Sequence, residues 1–211
     1  VARYDAEHKG ETRRRIIDSA GRRFKQDGID GSGVAVLMSD AGLTNGAFYA
    51  HFASKDDLVA NVVADQLRAQ HATLGSLPEG RVALEEFVRD YLSPRHRDDP
   101  STGCPSAALL DEIGRCDSAI RDSYTKGMQS IVDVVATHLS PHDPSAARTM
   151  SLGLFSLLVG TLQLARAVSD RQLSDDILES GVRNAQILLD YGQVDGHSVS
   201  TDRDHPTPHI S

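Results

Sequence analysis

The chain has 211 residues, of which 39% are hydrophobic and 25% charged, with a formal net charge of −8. That length allows one large domain or two small ones. Trp is absent, aromatics make up 5%, and Ala, Leu and Val carry most of the apolar mass, a balance that favours helices over a β-sandwich. Two Cys exclude a disulfide framework and point to a reducing cytoplasm, and the acidic balance, taken whole, argues against nucleic acid.

The first residues, Val1 to Asp5, lack the apolar core of a secretory signal. Residues 12–26 read as a first helix with Ile16, Ile17, Ala20 and Phe24 on one face and Arg13, Arg14, Arg22 and Arg23 largely off it. Gly28, Gly31 and Gly33 end that helix. A second short helix runs from about Val34 to Ala41, presenting Val34, Leu37, Met38 and Ala41 to a core, and Gly42 stops it. Thr44 is placed to cap a third short helix through Phe52. Ser54 opens a fourth, with Asp56 and Asp57 favoured at the positive end of its dipole, continuing to about Leu74 over Leu58, Val59, Val62 and Val63.

After Gly80 the spacing predicts helices at about 80–93, 105–115, 117–139, 144–168 and 172–191, separated by Pro94, Asp98 to Ser101, Ser140-Pro141 and Ser169-Asp170. No segment alternates long enough for a strand. The expected fold is all-α, with about nine helices in three parts: residues 1–57, residues 58–191, and a flexible polar tail at 192–211. The apolar stretch Met150 to Val168 is broken by Ser151, Ser156, Thr161, Gln163 and Arg166, which weighs against a membrane span.

Charge divides along the same line. Residues 1–60 hold nine Lys/Arg and nine Asp/Glu, whereas the remainder holds 13 basic and 21 acidic residues and so carries the whole −8. Such asymmetry is expected where two segments meet different partners, though an acidic globule kept soluble by its surface shows it too.

Three short helices with Gly42-Leu43-Thr44 between the second and third make a helix-turn-helix. Gly42 is conformationally permissive at the turn. Asn45 offers hydrogen bonds to a base edge, and Gly46 and Ala47 let the backbone come close. Tyr49 and His51 are placed to donate to phosphates, and Lys55 lies in the first turn of the next helix, where its charge and the free backbone N–H groups both attract phosphate. Phe48 and Phe52 are core, since an exposed aromatic pair there would be costly.

The stretch Gly31 to Leu58, with Gly42, Tyr49, Phe52, Lys55 and Leu58 in a Phe-Tyr-x-His-Phe-x-Ser-Lys-x-x-Leu run, closely resembles the DNA-binding head of the tetracycline-repressor (TetR) family. The specific resemblance covers about residues 12–62. It implies that Tyr49, His51 and Lys55 contact the DNA backbone and that Thr44, Asn45, Gly46 and Ala47 face bases. Ser32-Gly33 stands where members often carry a Ser or Thr capping the second helix, and Ser32 is the candidate replacement.

The resemblance also implies that the later helices bind a small-molecule inducer and dimerise. Gly153, Ser156 and Gly160 recur at three- and four-residue steps, so a strip of small residues lets another helix approach. Leu152, Phe155, Leu158, Val159 and Leu162 supply apolar area around it. With Ile177, Leu178, Val182, Ala185, Leu188 and Leu189 of the last helix, this suits a four-helix interface of a homodimer.

Phe87, Tyr91, Tyr124, Met128, Phe155 and Gln163 are the candidate lining of a pocket, each of them also readable as plain core. Cys104 joins them, because Pro105 at the first helical position puts it at an N-cap, where the dipole favours a thiolate. It is therefore a candidate ligand-proximal or redox-sensing residue.

Enzymatic signatures are missing: there is no Gly-x-Ser-x-Gly, His-Glu-x-x-His or Cys-x-x-Cys, and Pro141 separates His138 from His142. No cofactor, metal or membrane partner is expected. The reading is a cytoplasmic, dimeric repressor that binds palindromic double-stranded operator DNA. The alternative is a helical scaffold without specific DNA binding.

Overall fold

A computed structural model describes the backbone of residues 2–194 and the side chains of residues 7–190. Nine α-helices and one 3-10 helix make up the described residues, with no strand among them. Helix α1 (Ala2–Asp27) begins ten residues before the expected start at residue 12. Its first turns are polar, and the side chains from Glu7 to Glu11 are exposed, so no apolar stripe marks them in the sequence. Its second half buries Ile16, Ile17, Ala20 and Phe24 as expected.

Helix α2 (Val34–Asp40) buries Leu37 and Met38 against α1. Gly42 then turns the chain at φ 67°, a conformation an L side chain rarely adopts. The segment that follows is a 3-10 helix, Asn45–Ala50, rather than an α-helix reaching Phe52. Thr44 does occupy its N-cap with extended backbone, but its side chain accepts no capping bond, which corrects that part of the expectation. A six-residue 3-10 turn is anchored instead by Phe48 and Phe52, both buried in the head core.

Helix α3 (Lys55–Gly75) starts with a reciprocal cap. Ser54 Oγ accepts from the Asp57 amide at 3.1 Å, and Asp57 Oδ2 accepts from the Ala53 amide at 3.0 Å. The helix carries Leu58, Val59, Val62 and Val63 into the core of the first three helices and Leu67 and Leu74 beyond it. A chain division at residue 57 therefore falls in the first turn of a helix that serves both sides.

The second part comprises α4 (Arg81–Tyr91), α5 (Pro94–Asp98), α6 (Pro105–Arg115), α7 (Ser118–Leu139), α8 (Pro144–Ala167) and α9 (Arg171–Val194). Helix α5 was not expected from sequence. Pro94, read as a terminator, is its N1 residue, and Ser93 Oγ caps it by accepting from the His96 amide. Helix α9 extends through Val194, so residues 192–194 are helical rather than part of a tail; the rest of the expected tail, 195–211, lies outside the described residues.

The dominant packing is α3 on α7, α7 on α8 and α8 on α9. Gly127 of α7 sits against Leu67 of α3, and Gly181 of α9 sits against Thr161 of α8 and Leu92. Helix α8 is long and apolar enough to cross a membrane, but it buries Leu154, Leu158, Val159 and Leu162 within this chain. Leu158, Val159 and Leu162, and with them Leu178, Ala185 and Leu189 of α9, are therefore core of one chain rather than area for another. The face left open on α8 holds Leu152, Gly153 and Ser156, with Leu164 further along.

Two arginines are used internally. Arg97, nearly all buried, donates to Ser174 Oγ at 2.8 Å and pairs with Asp98 and Asp175. Arg166 spans three carbonyls, those of His96, Arg97 and Ala107, and so ties α5 and α6 to α8.

Candidate functional site

The head presents a continuous polar surface at the start of the 3-10 helix. Thr44, Asn45 and Gly46 are exposed, Ala47 is half-buried, and Tyr49 is 74% exposed while its ring packs edge-on against buried Phe48 at 5.2 Å. An aromatic ring held by its edge and wet on its face keeps its hydroxyl outward, where it can donate. Lys55 lies half-buried in the first turn of α3, beside amides that the helix leaves free apart from that of Asp57.

The residues behind this surface fix its position. The Arg13 guanidinium stacks on the Phe52 ring at 4.5 Å and donates to Asn61 Oδ1 at 3.0 Å, and Asn61 in turn donates to Asp57. Arg13 thus braces α1 against α3, whereas Arg14 and Arg15 are exposed. His51 is half-buried, with Nδ1 unpartnered inside; burial, with Lys9 and Arg13 near, holds its imidazole below the usual value, so the ring is neutral at pH 7. Ser32 does not take over capping of α2. It is buried, its hydroxyl donates to the Gly28 carbonyl at 2.8 Å, and Gly33 is the N-cap without a side-chain bond.

A second feature lies where α1 meets the bundle. A cleft of about 320 Å³ is walled by Phe87 and Tyr91 of α4, Gln66 and Gln70 of α3, Lys25 of α1, and the segment Thr102 to Pro105. Among the candidate pocket residues, Phe87, Tyr91 and Cys104 line it. Phe155 lines an apolar recess beside it that shares Gln70, Phe87 and Tyr91. Tyr124 instead donates to Ser106 Oγ at 3.0 Å, and Met128 and Gln163 are half-buried outside both linings.

The hydrogen bonds around the cleft set its chemistry. Cys104 is indeed the N-cap of α6 and is buried; its thiol donates to Gln70 Oε1 at 3.4 Å. Its amide donates to His96 Nε2 at 2.9 Å, which leaves Nδ1–H to donate to the Tyr91 carbonyl at 2.8 Å. This arrangement selects one neutral tautomer, and burial pushes the His96 imidazole further down. Lys25 Nζ donates to the Gly103 carbonyl at 2.9 Å, and burial pushes its ammonium down to about 8. Lys25, Gln66, Gln70 and His96 were not singled out from sequence; in a linear reading Lys25 is only a charged last turn, and no local signal joins it to residues 40 to 80 positions away.

Residues 16–62 match the family model described as bacterial regulatory proteins, tetR family. The HTH-type transcriptional regulator AcrR of Shigella flexneri is 37% identical over 62 residues, which spans 29% of each chain. Among solved structures, reduced NemR of E. coli is similar with a TM-score of 0.71 at 19% identity, covering 84% of this chain and 96% of that one. FadR of Bacillus subtilis, in complex with stearoyl-CoA, is similar with a TM-score of 0.58 at 16% identity, covering 80% and 96%. The N-terminal segment, residues 16–62, is thus similar to the tetR family of bacterial regulatory proteins, and the chain spans about a third of the length of the curated relatives it matches.

Proposed function

We propose that this chain is a cytoplasmic, ligand-responsive DNA-binding regulator, a repressor that leaves a palindromic operator when a small molecule binds. Residues 1–57 serve as the reading head and 58–191 as the sensing and dimerising part. The observation that carries the reading is the exposed run of Thr44, Asn45, Gly46 and Tyr49 on a buried aromatic anchor, with Lys55 at the adjacent helix start. Thr44, Asn45, Gly46 and Ala47 face bases; Tyr49, His51 and Lys55 meet phosphates.

The open face of α8, with Leu152, Gly153 and Ser156 beside exposed Leu164, and exposed Leu173 and Ile187 of α9, supports a homodimer through the last two helices. A two-fold pair of heads matches paired half-sites in successive major grooves. The cleft and its apolar recess, including Phe87, Tyr91, Cys104 and Phe155, take the inducer, which shifts a population between head spacings by no more than its differential affinity for them.

Selection of bound fragments from a random duplex pool tests this reading. An enriched palindrome is expected, and its absence favours the scaffold alternative. On that palindrome, Asn45→Ala relaxes preference at one base position, costing about 1–3 kcal/mol against the preferred base. Lys55→Ala weakens binding to all sequences alike and lowers the salt slope by about one. If both variants bind as the parent does, the residue assignment is wrong.

A further inference from the structure

The cleft is chemically unfinished. Among the described residues the Tyr91 hydroxyl makes no hydrogen bond of normal geometry, although the residue is only 6% exposed and Cys104 lies beside it, and Gln66 Oε1 is likewise buried without a partner. Both side chains line the same cleft. A buried polar group left unpaired costs about 1–3 kcal/mol, so two in one cleft point to a ligand that supplies what the chain does not. The Phe87 and Tyr91 rings, 5.8 Å apart and tilted by 46° to each other, form an apolar wall.

The charges around it are lopsided. Lys25 enters from α1, with Arg166 and His96 near it. At the rim, Asp90 is already paired with Arg95 at 2.6 Å. The groups facing Lys25 are Arg22 on its own helix, His96 and Asp99 from α5 and its end, Cys104 at the start of α6, and Arg166 of α8. Asp99 is the carboxylate among them, and it accepts from Ser101 and Thr102 instead. Among the described residues no carboxylate hydrogen-bonds the Lys25 ammonium, which donates to the neutral Gly103 carbonyl and feels Asp99 only through space.

We propose that the cleft takes a small carboxylic acid with an aromatic or short apolar body, and that Lys25, a residue of the first helix of the head, is its anchor. The carboxylate accepts from the Lys25 ammonium and the Tyr91 hydroxyl, the body lies against Phe87, and a hydroxyl on the body donates to Gln66 Oε1. A volume of about 320 Å³ suits a single-ring acid. This names the ligand class of the regulatory reading above and rests on that reading for its consequence. The ammonium that holds the acid is the one that ties α1 to the Gly103 carbonyl, so occupancy competes with a tether between head and bundle.

Calorimetry on the full chain tests the proposal without DNA, using matched pairs of probes: benzoate with benzamide, and 4-hydroxybenzoate with 4-hydroxybenzamide. Each acid should bind about tenfold or more tightly than its amide. Lys25→Met should remove that preference and Lys25→Arg retain it, while Phe87→Ala weakens acid and amide alike; a thermal melt confirms that each variant is folded. At pH 8 the half-protonated Lys25 should take up about half a proton on binding the acid, seen as a dependence of the heat on buffer ionisation and absent in Lys25→Met. Acids that bind no better than their amides, or a preference that survives Lys25→Met, overturn the proposal. A carboxylate preference without any enriched operator would instead leave the ligand site standing and sink the regulatory reading.

Discussion

Gly42 of the head and Gly127 and Gly181 of the bundle are constrained in opposite ways. In the head, Gly42 turns the chain at φ 67° with nothing within 4 Å of where a Cβ would sit, so the constraint there is the backbone itself. In the bundle, Gly127 and Gly181 have ordinary helical backbone, and the constraint is a neighbour. A Cβ at Gly127 would lie 2.6 Å from Leu67 Cβ, and one at Gly181 would run into Thr161. The turn at Gly42 is thus specified by local conformation, and the α3–α7 and α8–α9 contacts by how closely helices distant in sequence approach.

That difference can be broken deliberately. Gly127→Ala should cost the most, about 2 kcal/mol in a denaturant titration, because the opposing atom is a Cβ fixed to the backbone of α3 and the helices themselves must part. Gly42→Ala should cost about 1 kcal/mol, from the left-handed backbone alone, and Gly42→Asn less; equal losses for the two variants would show that space, not φ, is the constraint. Gly160→Ala sharpens the contrast. Its Cβ meets nothing within 4 Å among the described residues, so the isolated chain should gain up to about 1 kcal/mol in helix stability. If α8 forms the dimer seam, the same change weakens self-association in sedimentation. A gain in both measurements would move the dimer contact elsewhere.

Legibility in the sequence follows the same division. The helical class, the buried faces of α1 and α2, the turn at Gly42, the Ser54 cap and the Cys104 N-cap were all readable, since each depends on residues within one or two turns. The failures have physical causes too. The proline of α5 reads equally as a stop and as a start, because both exploit its missing N–H. Thr44 has the right residue type at a cap but no capping bond, since aromatic burial holds that turn. On α8 and α9 an apolar stripe marks burial without saying against what, so Leu158 and Leu162 read as interface while they pack inside one chain. The cleft was half visible: its aromatic wall lies on one amphipathic helix, but Lys25, Gln66 and His96 converge from three others.

Glu112 carries a consequence of its own. From α6 its Oε2 accepts from the amides of Ile29 at 2.7 Å and Asp30 at 3.2 Å, and its carboxylate fills the space over Gly28. Three glycines, at 28, 31 and 33, would ordinarily make this stretch a loose joint between α1 and α2. With two of its amides gripped from another helix, the stretch is tethered to α6, and those amides should exchange with solvent only as fast as the Glu112 contact opens. The most glycine-rich backbone of the head is thereby a clamped junction to the bundle rather than a free joint.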